Sequence, residues 1–359
     1  MRTLVLGGYG NFGARICRAL AGGEGIALLV GGRDAQRAEA FARTLGGDAR
    51  GVRIDVQAEG LAQSLRGLRV ELVIHTAGPF QGQAWRVAQA VAQAGAHYID
   101  LADGRRFVCD FAAALNPAFR AAGRTAISGA STVPALSSAV VDHLTAGWTR
   151  IHRIDTCIAP AQGAPRGEAT LAAVLGYCGA PIPVWQAGQW VDHPGWASPE
   201  TVRFARMRPR RGALCDIPDL ELFPQRYPGV QTVMFRAALD AFGSALGGMV
   251  VRVEGVDAQG AETRRAWHIA ADHNHGPVIR CMAAILQARR LARGEALASG
   301  AHACAGWLTL SEFEPAFARW GMLTDVVDGQ PGAGAQLHLV HRRQVADPDQ
   351  PAASRGVDR

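Results

Sequence analysis

The sequence predicts an α/β protein with a doubly wound parallel sheet, followed by a second α+β domain built on an antiparallel sheet. Three observations carry this. Over the first 150 residues, short apolar runs alternate with stretches of helical spacing. A glycine-rich turn, Gly8-Tyr9-Gly10-Asn11-Phe12-Gly13, stands between the first run and the first helical stretch. After residue 150 the alternation stops, and strand patterns broken by Pro and Gly take over.

The elements follow in order. Strand runs are read at Thr3–Leu6, Ile26–Val30, Val52–Val56, Leu72–Ala77, Tyr98–Leu101 and Thr125–Ser128. Helices are read at Ala14–Leu20, Ala35–Leu45, Trp85–Ala94 and Phe107–Ala122. Strands separated by helices form βαβ units, and right-handed crossovers place helices on both faces. Further on, Ile151–Ile158 reads as a strand and Arg166–Tyr177 as a helix. Gly248–Gly255 and Thr263–Ala270 read as a hairpin. Pro277 sits near the first turn of a helix over Val278–Ala292, which Gly294 ends. The resulting domain plan is 1–148 for dinucleotide binding, 149–275 for substrate and dimer contacts, 276–344 returning to the first domain, and 345–359 as a polar disordered tail.

Composition narrows the chemistry. The chain has 359 residues, 48% of them hydrophobic, enough for a sizeable core. All 37 basic Lys+Arg residues are Arg. That excludes a Schiff-base lysine, a lysine general base and a P-loop lysine. The arginines are scattered apart from Arg208, Arg210 and Arg211, which argues against nucleic acid despite a net charge of +6. The 7 cysteines are widely spaced, with no C-x-x-C, so neither a disulfide framework nor a metal site is expected. No apolar stretch is long enough to span a membrane. The N-terminus enters a strand directly, so a cytoplasmic protein is expected.

The glycine turn carries the strongest chemical signal. One glycine permits the tight turn, one lets a pyrophosphate approach the backbone, and one lets helix and strand pack closely. The helix start supplies free N–H groups and a positive dipole end. An NAD site usually has an acidic residue at the end of the second strand. Here that strand ends Gly31-Gly32-Arg33-Asp34. Arg33 would offer a 2′-phosphate charge-assisted bonds, so NADP is expected, with Asp34 capping the next helix. Asp55-Val56 and Thr76-Ala77-Gly78-Pro79 end the third and fourth strands, where adenine and nicotinamide ribose would lie.

These segments resemble the saccharopine dehydrogenase (saccharopine reductase) NADP-binding family, in its short oxidoreductase-like branch. The resemblance rests on Val5–Gly13, Gly31–Arg33, His75–Phe80, His97–Arg105 and Ser128–Ser138. It implies a Rossmann domain, a second α+β domain, NADP and a homodimer, and it leaves the substrate open.

For catalysis, Asp103 and Arg105 follow the fifth strand, near Tyr98 and Asp100. An Asp–Arg pair there could clamp a substrate carboxylate and relay a proton; it could equally be a structural ion pair. His75 reads as a core histidine. Asp272-His273-Asn274-His275 precedes a helix, where polar residues cap, and His273 or His275 could donate a proton. Ser128-Gly-Ala-Ser131 is not a nucleophile elbow. The expected protein is an NADP-dependent oxidoreductase that transfers hydride on a C–N or C–O bond of a small metabolite. The rival is a non-catalytic NADP-binding redox sensor or scaffold.

Overall fold

The computed structural model describes residues 1–161, 176–238 and 246–329. Two seven-stranded sheets organise the chain. The first holds β1 (Arg2–Leu6), β2 (Ala27–Gly32), β3 (Arg50–Arg53), β4 (Leu72–His75), β5 (His97–Asp100) and β6 (Thr125–Ser128), all parallel. Its order is 3-2-1-4-5-6, and a seventh strand, Gly300–Ala303, pairs parallel to β6. The order reverses between β1 and β4, which opens a crevice at the carboxyl ends of the strands. The expected doubly wound parallel sheet is therefore present.

Helices α1 (Asn11–Leu20), α2 (Ala35–Leu45), α3 (Leu61–Gly67) and α4 (Arg86–Ala94) connect the first strands. The helix expected over Phe107–Ala122 is two, α5 (Arg105–Cys109) and α6 (Phe111–Ala121), joined at Asp110. Strands buried on both faces carry continuous apolar runs. Leu4, Val5 and Leu6 of β1 are all fully buried, shared between the cores of the two faces.

The second sheet contains β7 (Arg150–Ala159) and the hairpin β13 (Gly247–Val256) with β14 (Glu262–Ala271). It is mixed rather than wholly antiparallel, because β12 (Thr232–Ala238) runs parallel to β7. Its far edge is β16 (Leu323–Gly329), paired with β14, so this late segment joins the second sheet and not the first. Between the hairpin and Gly300, α9 (Gly276–Ala292) crosses back and packs on α1. The two sheets share one core across this contact, in which Trp267 and Phe313 are buried with Ile16 and Leu20. Most of the helix expected over 166–177, and the tail from 345, lie outside the described residues.

Candidate active site

The glycine turn joins β1 to α1. The left-handed residue is Gly7 (φ +76°), one position before the expected motif. A Cβ on Gly13 would lie 2.1 Å from the Gly7 carbonyl oxygen, and one on Gly8 would lie 2.9 Å from the Val5 oxygen. Only glycine lets the helix start this close to the strand. A Cβ on Gly10 would stand 3.1 Å from the Gly7 oxygen. Helix α1 opens with no side-chain cap and no acidic residue in its first turn. Its positive end is thus left for an anion, and the turn fits a pyrophosphate.

Tyr9 leaves this turn towards the end of β2. Its ring lies so close to Gly32 that any Cβ there would overlap it at 2.2 Å. The Tyr9 hydroxyl accepts from the Asp34 amide at 3.2 Å, and the Arg37 guanidinium stacks on the ring at 4.9 Å. Asp34 caps α2 by accepting from the Arg37 amide at 3.0 Å. Arg33 is exposed beside it. Across the strand end, Gly32 is in register with Arg53. Asp55 accepts from the Gln57 amide at 2.9 Å and faces solvent, with Val56 half-buried next to it.

The neighbouring turn, Thr76–Pro79, closes on the glycine turn. Thr76 donates from Oγ1 to the Leu6 carbonyl at 2.7 Å. Ala77 is half-buried, while Gly78 and Pro79 are exposed. Behind them lies a buried polar chain. His75 Nδ1 is 3.1 Å from the Tyr98 hydroxyl. Burial pushes the His75 imidazole down to about 4, so it stays neutral. Asp100 accepts from Ser128 Oγ and from the amides of Ala102 and Gly129 at 2.8–3.1 Å. Burial raises its carboxyl to about 6 against those bonds. Asp100 ties the loops after β5 and β6 together.

The structure does not bring Asp103 and Arg105 together. Asp103 accepts from Arg280 Nη2 at 2.7 Å and from Gln81 Nε2 at 3.2 Å. Arg280 comes from α9 and stacks over the Phe12 ring at 4.9 Å, beside the glycine turn. Arg105 is buried instead. It donates to Glu221 at 3.1 Å, to Asp216 at 3.2 Å and to the Pro183 carbonyl at 2.7 Å, and it faces Trp190 at 5.4 Å. Arg105 is the first residue of α5 and reaches Pro183, Asp216 and Glu221, whereas Asp103 lies in the loop before the helix and faces Arg280. Asp216 adjoins Cys215, whose Sγ lies 2.6 Å from the Tyr177 hydroxyl. Burial raises the Tyr177 phenol, and the Cys215 beside it and the negative charges of Asp103 and Asp216 add to the shift.

His273 is exposed at φ +51°, and His275 packs against Trp320 with ring centres 4.9 Å apart. Both precede α9, upstream of Arg280. Among the described residues, no contact joins either to Asp103 or Arg105. Arg280, Tyr177 and Cys215 are the residues that the sequence reading missed. Only Arg280 left a trace, as a lone charge among the apolar residues of Pro277–Ile285.

Residues 3–127 match the saccharopine dehydrogenase NADP binding domain. The match bears out the resemblance over that stretch, which spans β1 to β6. No curated protein matches the chain. Among solved structures, apo saccharopine dehydrogenase (L-Glu forming) from Saccharomyces cerevisiae superposes with a TM-score of 0.70 at 11% identity. That likeness covers 91% of this chain and 99% of the yeast one. The C. glutamicum DAP dehydrogenase in complex with DAP gives 0.50 at 17% identity, over 85% and 93% of the two chains. At such identities the likeness is one of fold, and it extends the saccharopine dehydrogenase architecture through the second sheet. No helix among the described residues is long and apolar enough to cross a membrane. Among them, too, no group of three His, Cys, Asp or Glu could hold a metal ion.

Proposed function

We propose that the chain is an NADP-dependent oxidoreductase that transfers hydride on a C–N or C–O bond of a small, carboxylate-bearing metabolite. The observation that carries this is a family match to an NADP binding domain whose glycine turn opens an uncapped helix at the sheet's switch point. NADP is the cofactor: Gly8–Gly13 would hold its pyrophosphate, and Gly32, Arg33 and Asp34 its 2′-phosphate ribose. Asp55 and Val56 would border adenine, and Thr76–Pro79 the nicotinamide ribose. Bound NADP supplies the hydride acceptor or donor.

The chain's own residues do the rest. Arg280 is aimed at the cleft from α9 and held by Asp103, so it is the group to receive a substrate carboxylate, with Asp103 orienting it. Tyr177, whose phenol is raised and whose hydroxyl meets Cys215, stays protonated at neutral pH and would serve as a hydrogen-bond donor if its hydroxyl turned from Cys215 to the substrate. His273 and His275 could join only if the α9 start closes over the cleft. The saturation of Arg105 by Glu221 and Asp216 favours a structural role for it, and with it the second reading, a non-catalytic NADP sensor. All seven cysteines are free, which suits a reducing compartment and a cytoplasmic protein. A homodimer belongs to the same proposal.

The test is NADPH oxidation by the purified protein against a panel of 2-oxo acids with and without amines. Turnover with one member, lost in Arg280→Ala while NADPH binding persists, is the expected result. NADPH binding without turnover across the panel would move the sensor reading ahead.

A further inference from the structure

The outer face of the second sheet holds a cavity of about 770 Å³, on a sheet separate from the one that carries the glycine turn. Its charged lining is unevenly neutralised. Arg153 is paired with Asp155 at 2.5 Å, Arg236 with Glu200 at 2.5 Å, and Arg264 with Glu254 at 3.2 Å. Asp328 is paired with Arg265 at 3.2 Å. Each of the four lining carboxylates therefore has its own partner. Arg252 and Arg203 are left with no carboxylate within salt-bridge distance among the described residues.

Arg252 lies at the centre of the face. On β13 it is in register with Asp155 on one side and Ala266 on the other, and Ala266 is followed by Val327 at the sheet edge. The row beyond Arg252 is thus small and apolar, which opens the space beside the guanidinium. Its Nη2 donates to the Arg203 carbonyl at 2.6 Å, which fixes the segment that roofs the cavity. His268, one row further along β14, accepts from the Ala205 amide on Nδ1 at 3.3 Å. Its imidazole is neutral, because burial lowers it to about 4, so the proton sits on Nε2 and makes a second donor in the lining. A half-buried guanidinium stays charged, and the carboxylate facing it across the strands, Asp155, is already bonded to Arg153, so Arg252 has attraction left for a further anion.

We infer that this cavity is a second binding site, for a small molecule bearing a carboxylate or phosphate, with Arg252 as its anion anchor. Arg203 at the rim and His268 along the wall add donors. The surrounding ion pairs hold the other arginines in place without offering their charge. Such a ligand would brace the roof segment against β13 and β14, away from the NADP turn.

The experiment is calorimetric titration of the whole protein with citrate and, separately, with inorganic phosphate, in a non-binding buffer. The expected result is saturable binding in the ~1 mM range, weakened about 10-fold or more in Arg252→Ala. Ala266→Leu keeps every charge and fills the space beside Arg252, so it should weaken binding as well. NADPH affinity should be the same in all three proteins. Binding of citrate but not phosphate, or the reverse, identifies the anion class and supports the site. Binding unchanged in both variants, or absent from a folded unmodified protein at about 10 mM, overturns it. A dimer that dissociates in Arg252→Ala, with no anion binding, would give this face to a second copy and also overturn it.

Discussion

Arg280 and Asp103 meet at 2.7 Å although they are 177 positions apart in the chain, and the Arg280 guanidinium lies over the Phe12 ring of the glycine turn at 4.9 Å. One ion pair thereby links the loop after β5, the helix α9 that follows the second sheet, and the cofactor turn. Arg280 is 22% exposed and Asp103 28%, so the pair is open to a ligand from the cleft.

This pair should behave as site machinery. Arg280→Lys keeps the charge but loses the planar fork and the stacking on Phe12. The expected outcome is KM for the carboxylate-bearing substrate raised about 10-fold or more, with NADPH affinity nearly unchanged. Steady-state kinetics alongside a cofactor titration would check it. An equal loss of NADPH affinity would assign Arg280 to the cofactor instead.

Arg33 should set cofactor choice. Tyr9 and Arg37 are already engaged with one another, and Asp34 is engaged as a cap, which leaves Arg33 as the exposed cation at the end of β2. NADPH should bind more tightly than NADH, and Arg33→Ala should remove most of the difference. A charged hydrogen-bond set of about 1.5–3 kcal/mol corresponds to roughly 10- to 150-fold. Tryptophan fluorescence titration measures it, and equal affinities in the unmodified protein would refute the assignment.

The two inner glycines should fail differently. Gly13→Ala places a methyl 2.1 Å from the Gly7 oxygen, so backbone must move and the fold itself should lose about 2–4 kcal/mol. A Cβ at Gly10 meets only the Gly7 oxygen, at 3.1 Å, so Gly10→Val should fold and lose NADPH binding. Urea denaturation paired with NADPH titration separates the two. Intact NADPH binding in Gly10→Val would mean that the turn does not cradle the phosphates.

Buried carboxyls should shape the pH profile of stability. Asp219 is fully buried, and burial raises it to about 7 against the opposing pull of the Ser137 hydroxyl. Its folded state holds a proton more tightly than the unfolded chain, where a carboxyl titrates near 3.9. Stability from this group therefore falls as pH rises from about 4 to 7. His75 and His268, lowered to about 4, act in the opposite sense and cost stability as pH falls below about 6.5. Asp219→Asn should match the unmodified protein near pH 4 and exceed it by a few kcal/mol above pH 7. Denaturation midpoints at the two pH values decide it, and a variant less stable at both would refute the account.

Much of the first sheet was legible because its strands are continuous apolar runs punctuated by glycine. Ala35–Leu45 and Thr125–Ser128 have the bounds that the pattern predicts. The strand Gly300–Ala303 carries no such signal: Gly-Ala-His-Ala has neither β-branched nor large apolar residues, and only its pairing to β6 makes it a strand. The glycine turn and the β2 end were readable because their chemistry is local in sequence. Asp103 was readable as a candidate but not its partner, since no spacing rule connects a loop after β5 with a helix 177 residues on. The Asp103–Arg105 pairing failed for a geometric reason: a strand end turning into a helix sends neighbouring side chains apart.

The strand at Gly300–Ala303 also determines how this protein can be cut. It completes the dinucleotide-binding sheet only after the chain has built most of the second one, and β16 then returns to finish that. A fragment ending near residue 148 would expose β6 as a raw edge, with its backbone donors and acceptors facing water. Such a piece is expected to aggregate when expressed alone. The two sheets are interleaved in the chain, so a cut at the apparent domain boundary removes a strand from the cofactor sheet.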